Sequence, residues 1–153
     1  MTGTLHKVLA LSGAERVLLA RAWLLLLLAE VCLRVLPFRI TRRVFEGRLG
    51  RKRESADGAV AAPLRIHELV EIAARRHIVR MSCLRRALVL QRLLRRQGFA
   101  AELRLGVVRR EELLHAHAWV ELDGAALGER EDVLEGYVGL RAAGAPAGAR
   151  GPK

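Results

Sequence analysis

The first element that the hydrophobic pattern predicts is a long helix. Ser12 followed three residues later by Glu15 matches a capping box, which predicts that a helix starts there. The apolar pattern continues to Pro37, so the predicted helix is roughly two dozen residues long. Leucine occupies every position from 24 to 28 and therefore covers all faces of that stretch. We expect this helix to be surrounded, either by its own domain or by another protein.

A second amphipathic helix is predicted from Pro63, because proline is favoured in the first turn of a helix. Its apolar positions form one stripe: Ile66, Leu69, Val70, Ala73 and Ala74. Charged residues occupy the other side: Arg65, Glu68, Arg75 and Arg76. His67 and His77 lie on or beside this helix, and we interpret both as surface histidines.

A third helix is predicted over residues 83–97. Ser82 is a suitable N-cap, Cys83 is the first helical residue, and Gly98 provides the stop. Its inward positions at helical spacing are Leu84, Ala87, Leu88, Gln91 and Leu94. The sulfur of Cys83 is therefore expected at the positive end of a helix.

Beyond Gly98 the period changes from 3.6 to 2, which predicts strands. Apolar residues alternate with others from Ala101 to Val107, and a charged connection over residues 109–114 leads to a second strand that contains His117. Asp123-Gly124 is a turn signal, after which a third strand is expected near Ala125. Helices followed by a small antiparallel sheet predict an α+β fold.

The chain divides into four predicted regions. Residues 1–46 form an N-terminal helical region, although residues 38–45 alternate apolar and basic positions without a decisive period. Residues 47–62, rich in glycine and charge, are predicted to be a flexible linker. A core follows over residues 63–140, and residues 141–153 are expected to be a disordered tail.

Composition narrows the functions that the chain can have. The net charge of +11 suits an acidic partner, but only 4% of residues are aromatic and no nucleic-acid reading motif is present. The longest uncharged stretch of the leucine-rich helix, residues 22–29, is too short to span a membrane. We therefore expect a cytoplasmic protein with a solvated basic surface and without nucleic-acid or membrane contact. Cys32, inside the same helix, is interpreted as a small buried hydrophobe.

Cys83 and His117 have the layout of a thiol nucleophile and an imidazole base. A thiol is a good nucleophile only as the thiolate, and a helix N-terminus favours that anion. The alternative from spacing alone is structural, with Cys83 buried and His117 a satisfied polar residue of a strand. His115 and His117 share a strand face and could be imagined with Cys83 as metal ligands, but no fourth ligand is evident. We expect neither a metal nor a cofactor.

A catalytic imidazole needs an acid to orient it, and Glu129 is the candidate. If residues 122–124 form a three-residue loop with Gly124 left-handed, His117 lies opposite Glu129 on the same sheet face. A two-residue loop would instead pair His117 with Arg130 and leave Glu129 as one of the solvated acids of residues 129–132. Asp123 is too far along the strand to reach His117 and is interpreted as a turn former.

Four ordered blocks of sequence resemble the transglutaminase-like peptidase of lasso-peptide biosynthesis, in the stand-alone form of the peptidase half of the B processing protein. They are residues 82–90 (SCLRRALVL), 93–98 (LLRRQG), 103–107 (LRLGV) and 116–124 (AHAWVELDG). The similarity covers about residues 64 to 140, while the N-terminal helix agrees only in general character.

The resemblance implies a transglutaminase- or papain-like core in which the cysteine helix packs on the sheet. It implies a cysteine protease that removes the leader from a ribosomally made precursor in the bacterial cytoplasm, together with a small leader-recognition protein and an ATP-dependent cyclase. Carried over by position, Cys83 is the nucleophile, His117 the base and Glu129 the third member, where such relatives usually have aspartate. Trp119 either walls the site or packs.

Two other functions stay open at this point. The same triad supports amine transfer onto a glutamine side chain, since only the acceptor differs. The leucine-rich helix is also compatible with a peptide-binding or scaffold module in which Cys83 is inert.

Overall fold

The computed structural model describes residues 11–50, 62–110 and 113–139. Its elements are, in chain order, α1 Gly13–Val35, α2 Phe38–Glu46, α3 Pro63–Arg75, α4 Cys83–Arg96, β1 Glu102–Arg110, β2 Leu113–Leu122, β3 Ala125–Ala126, α5 Glu131–Leu134 and β4 Val138–Gly139. The strands form one antiparallel sheet in the order β3-β2-β1-β4. The predicted α+β class is confirmed.

Helix α1 begins at the predicted capping box. The Glu15 N–H donates to the Ser12 hydroxyl at 3.2 Å, and the Ser12 N–H donates to the Glu15 carboxylate at 2.8 Å. Arg65 of α3 donates to the same carboxylate at 2.7 Å, which holds the pKa of Glu15 below its ordinary value. The start of α1 is therefore fixed both within its own first turn and against α3.

The domain covers only one side of α1. Its buried positions include Ala22, Leu26, Ala29 and Cys32. The predicted burial of Cys32 is confirmed, and this cysteine is free. Among the described residues, no helix is long and apolar enough to cross a bilayer. The domain therefore buries the inner face of α1, and the outer face of this helix is exposed, so its own domain does not surround it, as one of the two expected alternatives required.

Helix α2 was not predicted. Only Thr41 and Phe45, one helical turn apart, are buried, and the Thr41 hydroxyl donates to the Cys32 carbonyl at 3.3 Å. Two inward positions in nine residues leave too weak a period to identify a helix from sequence.

The chain after α2 returns to the end of α4. The Gly50 N–H donates to the Arg95 carbonyl at 2.7 Å, and a Cβ at Gly50 would stand 2.2 Å from the Arg96 carbonyl oxygen, so a side chain there is excluded. The rest of the predicted linker, residues 51–61, and the predicted tail lie outside the described residues. The regional boundaries at 46, 62 and 140 stay a prediction.

Helices α3 and α4 are confirmed at their predicted starts. In α3 the stripe from Ile66 to Ala73 is buried, and α4 buries residues on more than one face: Ala87, Leu88, Val89, Leu90, Gln91, Leu93 and Leu94. Ser82 occupies the N-cap position of α4 without a side-chain capping hydrogen bond.

A buried carboxylate joins α1 to the first turn of α4. The Glu30 side chain is 5% exposed and pairs with Arg85 at 2.5 Å and with Arg34 at 2.6 Å. Neither carboxylate oxygen has a partner in hydrogen-bond geometry, so the attraction is one of charge. Arg85 lies two residues after Cys83, and Glu30 therefore helps to hold the thiol end of α4 in place.

One hydrophobic core runs from α1 to the sheet. In the β1–β2 ladder, Leu105 pairs with Ala118 and Gly106 with His117. Leu103, Ala118 and Val120 are buried in the cluster that also contains the inner residues of α1, α3 and α4. Because side chains alternate across a strand, His117 and Trp119 project from the other face of β2.

The predicted three-residue hairpin loop is wrong. The register pairs Leu122 with Ala125 and Glu121 with Ala126, which leaves a two-residue turn. Asp123 (φ 50°) and Gly124 (φ 83°) both have left-handed backbones, whereas the prediction assigned that conformation to Gly124 alone. Two left-handed residues are the requirement of the tight turn that Asp-Gly favours.

Candidate active site

Cys83 is half-buried at the first position of α4 and lines a cavity between α3, α4 and the β2 edge of the sheet. Residues of all three elements line it, among them His67, Arg86, His117 and Trp119, and Glu129 joins them from the segment after β3. The N–H groups of the first turn of a helix have no partner inside the helix, so partial positive charge lies close to the sulfur of Cys83. The thiol and the imidazole predicted from sequence thus share one cavity.

Glu129 contacts the imidazole of His117. The Nε2 atom of His117 lies 3.1 Å from Oε1 of Glu129, and the two side chains are 20% and 26% exposed. A carboxylate at Nε2 fixes the orientation of the ring and leaves Nδ1 for exchange of a proton with the thiol. Glu129, the residue predicted as third member, therefore contacts His117, although the strand register from which it was predicted is not the observed one.

A local departure from the strand brings Glu129 to this position. Strand β3 ends at Ala126, the Leu127 N–H still donates to the Val120 carbonyl at 2.9 Å, and Gly128 then adopts a left-handed backbone with φ 74°. Strand alternation no longer decides the direction of a side chain after such a bend. Glu129 can consequently face His117 even with a two-residue hairpin turn.

His67 of α3 packs directly against this bend. A Cβ on Gly128 would lie 2.4 Å from the His67 ring, so the close approach requires glycine. The interpretation of His67 and His77 as surface histidines is wrong: both are half-buried, and the His77 ring packs against Trp23 in a tilted arrangement with ring centroids 4.8 Å apart. The partial burial of both histidines results from contacts with distant segments of the chain, and no local sequence pattern indicates those contacts.

Aromatic rings enclose the imidazole on the sheet side. The His117 ring lies 6.1 Å from Trp119 and 5.8 Å from Tyr137. Gly106, directly opposite His117, makes room for them, since a Cβ there would lie 2.9 Å from the Trp119 ring. Trp119 both lines the cavity and packs, and its indole N–H donates to Glu121 at 3.1 Å. Tyr137 carries no sequence signal, because it follows a glycine-containing turn without a periodic pattern.

An ion pair forms another part of the cavity wall. Arg86, one turn along α4 from Cys83, donates to both oxygens of Glu71 at 3.0 and 3.3 Å. Both side chains are partly exposed, so their remaining donor and acceptor atoms can form hydrogen bonds to a molecule in the cavity.

Other polar residues considered from sequence lie elsewhere. Asp123 is in the hairpin turn, and His115 is exposed near the start of β2. Within the described residues, no group of three histidine, cysteine or acidic side chains could hold a metal ion.

Residues 23–142 match the family model of the Transglutaminase-like superfamily. The match covers most of the chain, and the protein belongs to this superfamily. It begins inside α1, so the family unit includes the N-terminal helices as well as the sheet. No curated protein and no solved structure matches the chain significantly. The superfamily commonly contains cysteine peptidases, and the fold and family are compatible with that activity.

Proposed function

We propose that this protein is a cysteine peptidase that removes the leader from a ribosomally made lasso-peptide precursor. The observation that carries the proposal is the cavity in which Cys83, at a helix N-terminus, is accompanied by a His117–Glu129 pair. The superfamily supports the peptidase chemistry. The substrate class is supported by the resemblance of the blocks around Cys83 and His117 to lasso-peptide B proteins.

In the proposed mechanism Cys83 is the nucleophile. Its thiolate attacks the carbonyl carbon of the leader–core amide, and the backbone N–H of Cys83 donates to the oxyanion that forms. Protonated His117 gives its proton to the departing core amine as the C–N bond breaks. Water, deprotonated by His117, then hydrolyses the thioester, releasing the leader carboxylate and regenerating the thiol. Glu129 holds the ring in place through Nε2 during both proton transfers.

The proposed setting is the bacterial cytoplasm. A small leader-recognition protein would hold the precursor, this protein would cut it, and an ATP-dependent cyclase would close the macrolactam on the released amine. These partners follow from the resemblance, and the proposed reaction itself requires no cofactor.

A mixture of this protein, a lasso precursor, its recognition protein and a small primary amine, followed by mass spectrometry, tests the proposal. We expect two products whose masses add up to that of the precursor plus one water. If the mass instead rises by that of an added primary amine less ammonia, the protein transfers amines to glutamine. An unchanged precursor would favour a non-catalytic binding module.

Glu129 and Asp123 are expected to differ sharply in the same assay. Glu129→Ala should lower kcat/KM about 10²- to 10⁴-fold, because the imidazole loses the group that orients it. Asp123→Ala, in the hairpin turn, should retain activity within about threefold when measured on folded protein. Equal losses for the two variants would remove Glu129 from the proposed site.

A further inference from the structure

The outer face of α1 carries a row of exposed aliphatic side chains, interrupted once by Arg21 and here called the apolar seam. It consists of Val17, Leu24, Leu28, Val31 and Val35, which are between 42% and 72% exposed. Isolated exposed apolar residues are ordinary on a protein surface, but a row along one helix face indicates an interaction site.

The spacing of the apolar seam is that of a helix-pairing surface. Successive members are separated by seven, four, three and four residues, which are steps between a and d positions of a heptad. Arg21 occupies the position left between Val17 and Leu24, and it is exposed. A single charged residue at such a position selects the register and the charge of the partner helix.

The charges beside the apolar seam have one sign. The acids of α1 point away from it: Glu15 pairs with Arg65, and Glu30 is buried beside Arg85. Arg21 lies within the row, between Val17 and Leu24, and Arg34, which pairs with Glu30, lies beside it; both arginine side chains are exposed. No exposed carboxylate occurs in α1, so the outer face of this helix is apolar and positive.

We propose that the apolar seam binds an amphipathic helix of a separate, acidic protein. Such a helix would place aliphatic residues against the apolar seam and a carboxylate opposite Arg21, which complements both the spacing and the charge. The proposal concerns the side of α1 that faces away from the core and is independent of peptidase activity.

Three other occupants fit less well. A second copy of this chain in parallel would place Arg21 opposite Arg21, and in either orientation it would bring a net charge of +11 against another of +11. A lipid surface favours aromatic residues on the inserted face, and the apolar seam contains none. Residues 1–10 contain no acid, so their composition does not complement Arg21 and Arg34.

A charge-swap experiment tests the proposal with the full chain. The probe is a synthetic helical peptide of three heptads with leucine at a and d and glutamate at e, g and the position that faces Arg21; its twin carries lysine in place of glutamate. Fluorescence anisotropy should show at least about tenfold tighter binding of the glutamate peptide. Arg21→Glu should narrow or reverse that preference, whereas Arg75→Glu, the same charge change on α3, should leave it intact.

Apolar substitutions complete the test. Leu24→Gln combined with Leu28→Gln should weaken binding of the glutamate peptide at least about tenfold, while Leu113→Gln with Leu114→Gln, an equal change at exposed leucines of β2, should not. Equal binding of both peptides, or equal binding by the two leucine double variants, would overturn the proposal. So would a dimer in sedimentation, or binding to phosphatidylserine vesicles, that the Leu24/Leu28 changes abolish.

Discussion

Replacing Cys83 with alanine should abolish leader cleavage, with a fall in kcat of at least about 10⁴-fold. The thiol is the only group that the proposed mechanism places in position to form a bond to the scissile carbon, and alanine cannot substitute for it. The change removes one half-buried sulfur atom at the edge of α4, so the fold should persist. Precursor masses followed over time measure the rate, and circular dichroism measures the fold.

Cys32 provides a matched control. It is the other cysteine of the chain and is buried on the side of α1 that faces the core. The proposed mechanism gives it no role. Cys32→Ala should cost about 1 kcal/mol of stability through lost packing and retain cleavage. Cleavage that continues in purified Cys83→Ala would end the thiol mechanism.

Replacing Glu30 with alanine should produce the largest loss of stability. The carboxylate is buried between Arg85 and Arg34, and its removal leaves the partly buried Arg85 guanidinium without its counter-charge. Breaking a buried pair in this way costs about 3–5 kcal/mol, which in a domain of this size lowers the melting temperature by about 10 °C. Differential scanning calorimetry gives the shift directly.

Two further variants show whether charge is the cause. Glu68→Ala breaks an exposed pair with Arg65 and should cost at most about 1 kcal/mol. Glu30→Leu combined with Arg85→Met replaces the pair with apolar groups of similar size and should recover much of the loss. If Glu30→Ala were as mild as Glu68→Ala, the carboxylate would not anchor the thiol end of α4.

Features set by local chemistry could be predicted from sequence. The capping box at Ser12 and Glu15 starts α1, Pro63 starts α3, and α4 begins at Cys83 after Ser82. Each of these signals acts within one helical turn, so the distant parts of the chain do not alter it. The strands after Gly98 could be predicted for the same reason, because the change to a hydrophobic period of two is also a local signal.

The length of the turn between β2 and β3 could not be predicted from local sequence. Asp123-Gly124 identifies the turn, but its length depends on whether one or two residues take left-handed backbones, and the structure has two. The residue Glu129 was nonetheless identified, because the bend at Gly128 redirects the chain toward His117. The contact of Glu129 with His117 is thus anticipated from a wrong register, and the bend that allows it packs against His67, 61 positions earlier in the chain.

Contacts between distant segments account for what sequence did not provide. Three such contacts join residues from separate parts of the chain: Tyr137 with His117, Glu71 with Arg86, and His77 with Trp23. Burial on one side of α1 could not be predicted either, because leucine covers every face of its central stretch and hydrophobic periodicity carries no direction there.

If His117 activates the sulfur of Cys83, the rate at which iodoacetamide labels that sulfur depends on the imidazole. The full chain is labelled at pH 7, and the peptides that contain Cys83 and Cys32 are quantified by mass spectrometry. We predict that Cys83 reacts well ahead of buried Cys32 and that His117→Ala slows labelling of Cys83 at least about tenfold. An unchanged rate at Cys83 after loss of the imidazole would contradict the account.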